Sequence, residues 1–301
     1  MKEYQIKRLL SIIILFLLIV VSLYYKENIY TPKVNIKTTI QNKEIVDQNL
    51  IVYFIDVGEA DSILINSNNE YALIDAGNTI DGNKLKKYFK SLGITNFKYV
   101  FGTHAHEDHI GGMSNIIYNF NIEKYFMNNV PSDYKSYHNV LKALNKRNLE
   151  ITHPNNDEEL PLGEGVIKVI YNGNDEEDLN ASSIVLELTY KNTKYLFTAD
   201  STKEVEEKII DKYDKVNVLK VSHHGSNDAS SANFLVKIHP EYAIISVGKN
   251  NDYHHPHQVT LNKLERIGSK VYRTDLEGTI ILTSDGENIK IESEKTDTNG
   301  E

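Results

Sequence analysis

The sequence predicts a layered α/β domain with mixed sheets, carried behind one N-terminal transmembrane helix. Three observations lead there. Short β-rich runs come in pairs, as in "SILI" and "YALIDAG" on either side of the turn "NSNNE". Further along, strand-like runs alternate with amphipathic helical segments, the pattern of sheets layered with helices. The chain also opens with an apolar run, Leu9 to Tyr25, that contains no charge.

Taken in order, the elements begin with Lys2, Lys7 and Arg8 ahead of that run. At about 1.5 Å per residue, residues 9–25 reach the lower end of what spans a bilayer. The leading basic residues assign residues 1–8 to the cytoplasm and everything after Lys26 to the outside. No small-x-small site follows, so an uncleaved anchor is expected, with a secreted form as the alternative. Residues 26–48 are polar and lack sustained periodicity, which reads as a linker. The globular domain is expected over residues 49–292, starting with the strand in "LIVYFIDVG". "NKLKKYFKSLG" reads as an amphipathic helix stopped by Gly93, and "KYVFG" as the next strand. A helix over Ser114–Phe120, the strand "KYFMNN" and a helix across Tyr134–Arg147 follow. Then come the strands "GVIKVIYN", "SSIVLELTY" and "TKYLFTAD", the last two joined by the turn "KNT". Alternation resumes with helix "TKEVEEKIIDKY", strand "VNVLKVS", helix "SANFLVKI" and strand "YAIISVG". Helix "TLNKLERIG" and strands "KVYRT" and "GTIILTS" close the domain, and residues 293–301 read as a disordered tail.

Composition narrows the function classes. With 301 residues, 40% hydrophobic and 25% charged, the chain is long enough for a sizeable core. A formal net charge of -9 argues against gripping nucleic acid through a broad basic face. The absence of cysteine excludes disulfides, thiolate zinc sites and cysteine nucleophiles. Any metal site must therefore be built from His, Asp and Glu.

The stretch "THAHEDHIGG", Thr103–Gly112, supplies His104, His106, Asp108 and His109 at the end of a predicted strand. Histidines two residues apart on an extended turn can share one cation, while Asp108 and His109 turn toward a second; zinc, iron and manganese accept such ligands. "YLFTADS" ends an apolar strand with Asp200, which also reads as a helix N-cap. "VLKVSHHGS" ends another with His223, His224 and Gly225, and the glycine lets the backbone approach a ligand closely. His138 and His153 read as surface or structural. Ser226 lies in no G-x-S-x-G elbow and reads as a turn cap.

On these motifs, together with "DVGEADSILI", "LIDAG", "SSIVLEL", "ISVGKNNDYHHPH" and "YRTDLEGTI", the chain from about Leu50 to Ile291 resembles the metallo-β-lactamase superfamily. Within it the likeness is to the hydrolase domain of ComEC-type competence proteins, and phosphorylcholine esterases of bacterial surfaces look similar too. The resemblance implies an αββα sandwich with two divalent cations at one edge, zinc or manganese. Carried over by position, His104 and His106 would hold one cation, Asp108, His109 and His224 the other, with Asp200 bridging. His224 is preferred to His223 because it stands immediately before the glycine. Asp75 would orient the His-rich turn, and Asn180 falls about where many members carry a third histidine for the first cation. Two such cations activate a bridging water at neutral pH; Asp108 and Asp200 would orient it. His255, before Pro256, would donate a proton to the leaving oxygen or fix a phosphate, while Lys220 and Arg273 are expected to help bind phosphate.

The expected function is thus a membrane-anchored, extracytoplasmic, metal-dependent hydrolase of phosphodiesters, with DNA or a teichoic-acid-like polymer as candidate substrates. A phosphorylcholine-esterase-like surface enzyme is the second expectation. A non-catalytic metal-binding surface module is the third.

Overall fold

The computed structural model describes residues 49–174 and 178–294. Residues 9–25, expected as the membrane anchor, lie outside the described residues, as do the linker up to residue 48 and the tail from residue 295. Among the described residues no helix is long and apolar enough to cross a membrane.

Two mixed sheets form the centre. The first runs in the order β15-β14-β1-β2-β3-β4-β5-β6 and the second β13-β12-β11-β10-β9-β8-β7. In the first sheet β1 (Leu50–Phe54), β2 (Ile63–Ser67) and β3 (Glu70–Ile74) pair antiparallel through short turns. Parallel pairing then takes over through β4 (Asn96–Gly102), β5 (Asn121–Met127) and β6 (Ile151–Thr152). The helices α1 (Gly82–Ser91), α2 (Glu107–Ile110), α3 (Met113–Asn119) and α4 (Lys135–Arg147) supply the crossovers that parallel strands need. The second sheet has an antiparallel half, β7 (Glu159–Leu162), β8 (Gly165–Tyr171), β9 (Val185–Tyr190) and β10 (Thr193–Phe197). Its parallel half is β11 (Val218–Lys220), β12 (Tyr242–Ile245) and β13 (Lys270–Arg273), with α5 (Lys203–Ile209), α6 (Ala232–Ile238) and α7 (Gln258–Arg266) between. After α8 (Thr274–Glu277), β14 (Ile280–Ser284) and β15 (Ile289–Ser293) return to the first sheet beside β1.

The period-2 alternation of the strands divides the apolar residues among three cores. Leu50, Val52 and Phe54 of β1 and Ala72 and Ile74 of β3 face Leu186, Leu188 and Phe197 of the other sheet, with the Phe54 and Phe197 rings 6.2 Å apart. Leu73 points the opposite way, into a core that includes Leu85, Phe89, Ile116 and Val140 of the helices over the first sheet. Leu219 and Ile245 likewise join Val205, Phe234 and Leu264 over the second. The architecture is therefore helix, sheet, sheet, helix, the αββα sandwich expected from the resemblance.

Three strands were not expected. β6 has two residues, β7 contains Pro161 and sits at a sheet edge, where a residue without an N–H is tolerated. β15 is an edge strand of the first sheet and reads "IKIES", with no residue fully buried; it carries the domain through Ser293, one residue into the expected tail. The helix expected over 202–213 ends at Ile209 and tightens into a 3₁₀ turn, Ile210–Lys212.

Candidate metal centre

The loops after the carboxyl ends of β3, β4, β10, β11 and β12 converge at one edge of the sandwich, where open α/β sheets generally place their ligands. Asp75, Ala199, His223 and His224 there have positive φ without being glycine, between 46° and 59°. Such backbone costs of order 1–3 kcal/mol per residue and persists only where the surroundings fix it. Here they do. The Lys220 ammonium and the His223 backbone N–H both donate to the Ala199 carbonyl, at 3.1 and 3.0 Å. Gly112 closes the His-rich turn where a Cβ would stand 2.2 Å from the Ala76 carbonyl oxygen, so no larger residue fits. Gly225, at φ +86°, lets Pro256 pack against the turn that carries His224.

Each ligand candidate is held from behind. Asp75, fully buried, accepts from the Thr103 N–H at 2.9 Å and its hydroxyl at 2.7 Å, and its Oδ2 lies 2.8 Å from His109 Nδ1. That leaves His109 Nε2 facing Asp200 Oδ1 at 3.3 Å and Asp108 Oδ2 at 3.7 Å. His224 Nδ1 sits 2.8 Å from the Ser246 carbonyl, which turns Nε2 to Asp108 Oδ2 at 3.2 Å and Asp200 Oδ2 at 3.7 Å. His104 Nδ1 is flanked by the hydroxyls of Thr103 and Ser183 at 3.2 and 3.3 Å, and its Nε2 stands 3.0 Å from His106 Nδ1. Ser183 also accepts from the Asp200 N–H at 3.2 Å, so one hydroxyl ties the two halves together. Asn180 stands beside His106 and lines the same pocket. Ser183, Thr103 and Ser246 carry no sequence signal of their own, because serine and threonine after a strand are commonplace.

The electrostatics follow from burying many acids and imidazoles together. Burial works against charge on His224, yet Asp200, Asp108 and Asp61 outweigh it and lift its pKa to about 9. His109 is raised well above its ordinary value, burial being overcome by Asp200, Asp108 and Asp75. Burial, reinforced by His109, drives His104 well below. Burial also pushes Asp75 up, whereas His109 and His224 overcome burial to hold Asp200 well down.

The donor set suits a borderline divalent cation. Asp108, His109, Asp200 and His224 each offer one ligand atom, all within 4.8 Å of one another. Among the described residues His109 Nε2 and Asp200 Oδ1 are buried with no hydrogen-bond partner, a costly arrangement that a shared cation would relieve. Imidazole nitrogen and carboxylate oxygen are ligands such ions accept.

The structure brings His104, His106, Asp108, His109, Asp200 and His224 to one place and sets Asp75 behind them. His223 lines the pocket with Nε2 3.8 Å from Asp200 Oδ2. His255 also lines it, while His138 lies exposed on α4 and His153 bonds the Met127 carbonyl, both away from the site. Two expectations need correction. Lys220 does not reach toward a phosphate: it is fully buried, paired with Asp61 beneath the centre. Arg273 is committed to Asp275 through two contacts, at 3.0 and 2.6 Å, and does not line the pocket. Asp61 and Glu59 were both missed.

An αββα sandwich with a buried cluster of imidazoles and carboxylates at the strand ends defines a metal-dependent hydrolase fold. The chain belongs to the metallo-beta-lactamase superfamily, whose family model matches residues 55–249. Within it the chain falls in the ComEC-type branch. It is 31% identical over 254 residues to ComE operon protein 3 of Bacillus subtilis, covering 76% of this chain and 32% of that protein. It is 39% identical over 106 residues to competence protein ComA of Neisseria gonorrhoeae, covering 34% of this chain and 15% of that one. The chain thus spans about a third or less of the length of these relatives. Among solved structures, the metallo-beta-lactamase fold protein YhfI from Bacillus subtilis superposes with a TM-score of 0.57 at 12% identity, covering 79% of this chain and all of that one.

Proposed function

We propose that the chain hydrolyses phosphodiesters with two divalent cations, zinc or manganese. His104 and His106 would hold one, Asp108, His109 and His224 the other, with Asp200 shared. When bound, such a pair supplies Lewis acidity toward a phosphoryl oxygen and activates water at neutral pH. The chain's own residues do the rest. Asp75, Ser246, Thr103 and Ser183 fix the ligand side chains, Asp108 and Asp200 orient the attacking water, and His255 donates a proton to the leaving oxygen. The observation that carries the reading is the convergence of the six ligand candidates at one place, where His106, Asp108, Asp200 and His224 line a cavity of about 290 Å³ with His255 in its wall and His104 and His109 stand behind them.

A second reading is favoured by the cavity mouth. Besides the candidate ligands it presents Glu59, Glu107, Tyr134 and Tyr253, the two tyrosines 49% and 67% exposed, and no Lys or Arg among the described residues that line it. Aromatic faces beside carboxylates suit a quaternary ammonium better than a polyanion, so a choline-bearing phosphodiester is the alternative substrate to DNA. Anchoring outside the cytoplasm by residues 9–25 belongs to the same proposal, supported by the charge-free run behind Lys2, Lys7 and Arg8. Supplying the Zn²⁺- or Mn²⁺-loaded chain with bis-p-nitrophenyl phosphate, a phosphorylcholine ester, single-stranded DNA and nitrocefin tests it. Turnover of a phosphodiester supports the proposal and its choice of ester separates the two substrates; two bound cations with no turnover point to a binding module.

A further inference from the structure

Glu59 sits in the loop between β1 and β2, and both its carboxylate oxygens are engaged. Oε1 lies 2.8 Å from His255 Nδ1, and Oε2 accepts from the Gly248 N–H at 2.7 Å. Gly248 packs so closely on Glu59 that a Cβ there would stand 2.5 Å from the Glu59 nitrogen. Asn251 fixes the other side of the arrangement: its Oδ1 accepts from the His255 N–H at 2.9 Å, and its Nδ2 donates to the His255 carbonyl at 2.7 Å and the Gly248 carbonyl at 2.9 Å. The imidazole is further enclosed by rings. Tyr253 stacks on it at 5.6 Å, His257 stands edge-on at 5.1 Å, and His223 and His224 lie at 5.5 and 6.2 Å. The His255 side chain is only 6% exposed, yet it lines the cavity that Asp108 and Asp200 also line. Among the described residues, Glu59 is the one carboxylate in hydrogen-bond contact with it.

We infer that Glu59 is a positioning residue: it takes the Nδ1–H of His255 and so commits Nε2 to the oxygen that leaves phosphorus. A carboxylate on the far nitrogen fixes ring orientation and tautomer and stabilises the protonated ring, the general role of the third member in triad-type arrangements. The inference rests on the phosphodiesterase reading. In the step it describes, a water oxygen bonds to phosphorus, the bond from phosphorus to the ester oxygen breaks, and that oxygen takes the Nε2 proton of the doubly protonated ring, whose Nδ1–H stays with Glu59, and departs as an alcohol. The attacking water releases a proton to solvent, His255 regains one from solvent, and the balance is one water consumed for one phosphomonoester and one alcohol.

The prediction is a dependence on leaving group. An alkoxide needs the proton and p-nitrophenolate hardly does. Glu59→Gln keeps an acceptor for Gly248 but loses the anion. It should lower kcat about 100-fold on an alkyl phosphodiester and about threefold on bis-p-nitrophenyl phosphate, with KM little changed. His255→Ala should show the same split, and the double variant should be no worse than His255→Ala alone. Independently of turnover, ¹H–¹⁵N spectra of ring-labelled protein taken with the ring neutral should place the parent's His255 proton on Nδ1, the tautomer left once Nε2 has given up its proton, and show a tautomer mixture in Glu59→Gln. Equal losses on the two esters, no loss on the alkyl ester, or spectra unchanged by the substitution overturn the inference while leaving the phosphodiesterase reading intact. A cation-loaded parent inactive on both esters overturns that reading and the inference with it.

Discussion

Replacing Lys220 by methionine removes a positive charge that no solvent reaches. The ammonium pairs with Asp61, donates to the Ala199 carbonyl at 3.1 Å and stands 3.9 Å from Asp200 Oδ1. Both members of the pair are essentially buried, at 0% and 1% exposure. The carboxylates overcome burial and raise the Lys220 pKa, so the ammonium stays charged in the fold. Methionine fills the volume but leaves the Asp61 carboxylate uncompensated, and breaking a buried pair from one side costs about 3–5 kcal/mol. For a domain of this size that lowers the unfolding midpoint by roughly 6–20 °C. Removing both charges in Asp61→Asn/Lys220→Met should recover most of the loss, because well-packed neutral replacements of a buried pair are often neutral. Urea unfolding of the metal-stripped parent, both single variants and the double variant measures this directly. A Lys220→Met protein within about 1 kcal/mol of the parent, or a double variant no more stable than Lys220→Met, would refute the reasoning.

Further outcomes follow from the proposed ligand shell. His224 must give up a proton to bind a cation, and its pKa in the metal-free fold is about 9. Cation affinity, measured by competition with a chelator, should therefore rise with pH, about tenfold per unit for each proton expelled, and level off above that value. In the metal-free protein the sign is opposite. A histidine raised from its ordinary 6.5 to about 9 contributes stability that is fully present below 6.5 and is lost as pH rises through 9; denaturant midpoints of stripped protein should fall over that window. Asp75→Asn, which removes the acceptor behind His109 Nδ1, should weaken cation binding about 10- to 100-fold in a titration while the fold persists. Gly112→Ala forces a methyl against the Ala76 carbonyl and should cost about 1–3 kcal/mol in thermal unfolding.

The clustering of the candidate ligands was legible because chemistry-bearing residues stood where apolar runs ended. "KYVFG" ends two residues before His104, "YLFT" two before Asp200 and "VLKV" three before His224, and strand ends are where parallel sheets gather their loops. The layers were legible too, since period-2 and period-3.6 patterns separate cleanly across the domain. Long-range pairing was not. Lys220 reads as a cation free to meet phosphate until the fold places Asp61 against it, and Glu59 has no local signal for a partner as distant in sequence as His255. The edge strands escaped for a different reason. β7 carries Pro161 and β15 alternates polar residues with half-buried ones, so neither shows the apolar density that marks an interior strand.

The account stands or falls on a shared metal centre in which Asp200 links two sets of ligands. Elemental analysis of the purified full chain after loading and desalting, beside Asp200→Ala and His104→Ala/His106→Ala, tests it most directly. The account predicts two divalent cations per parent chain, one in the double-histidine variant and a weakened or lost pair without Asp200; a parent that retains none, or three proteins with the same content, would contradict it.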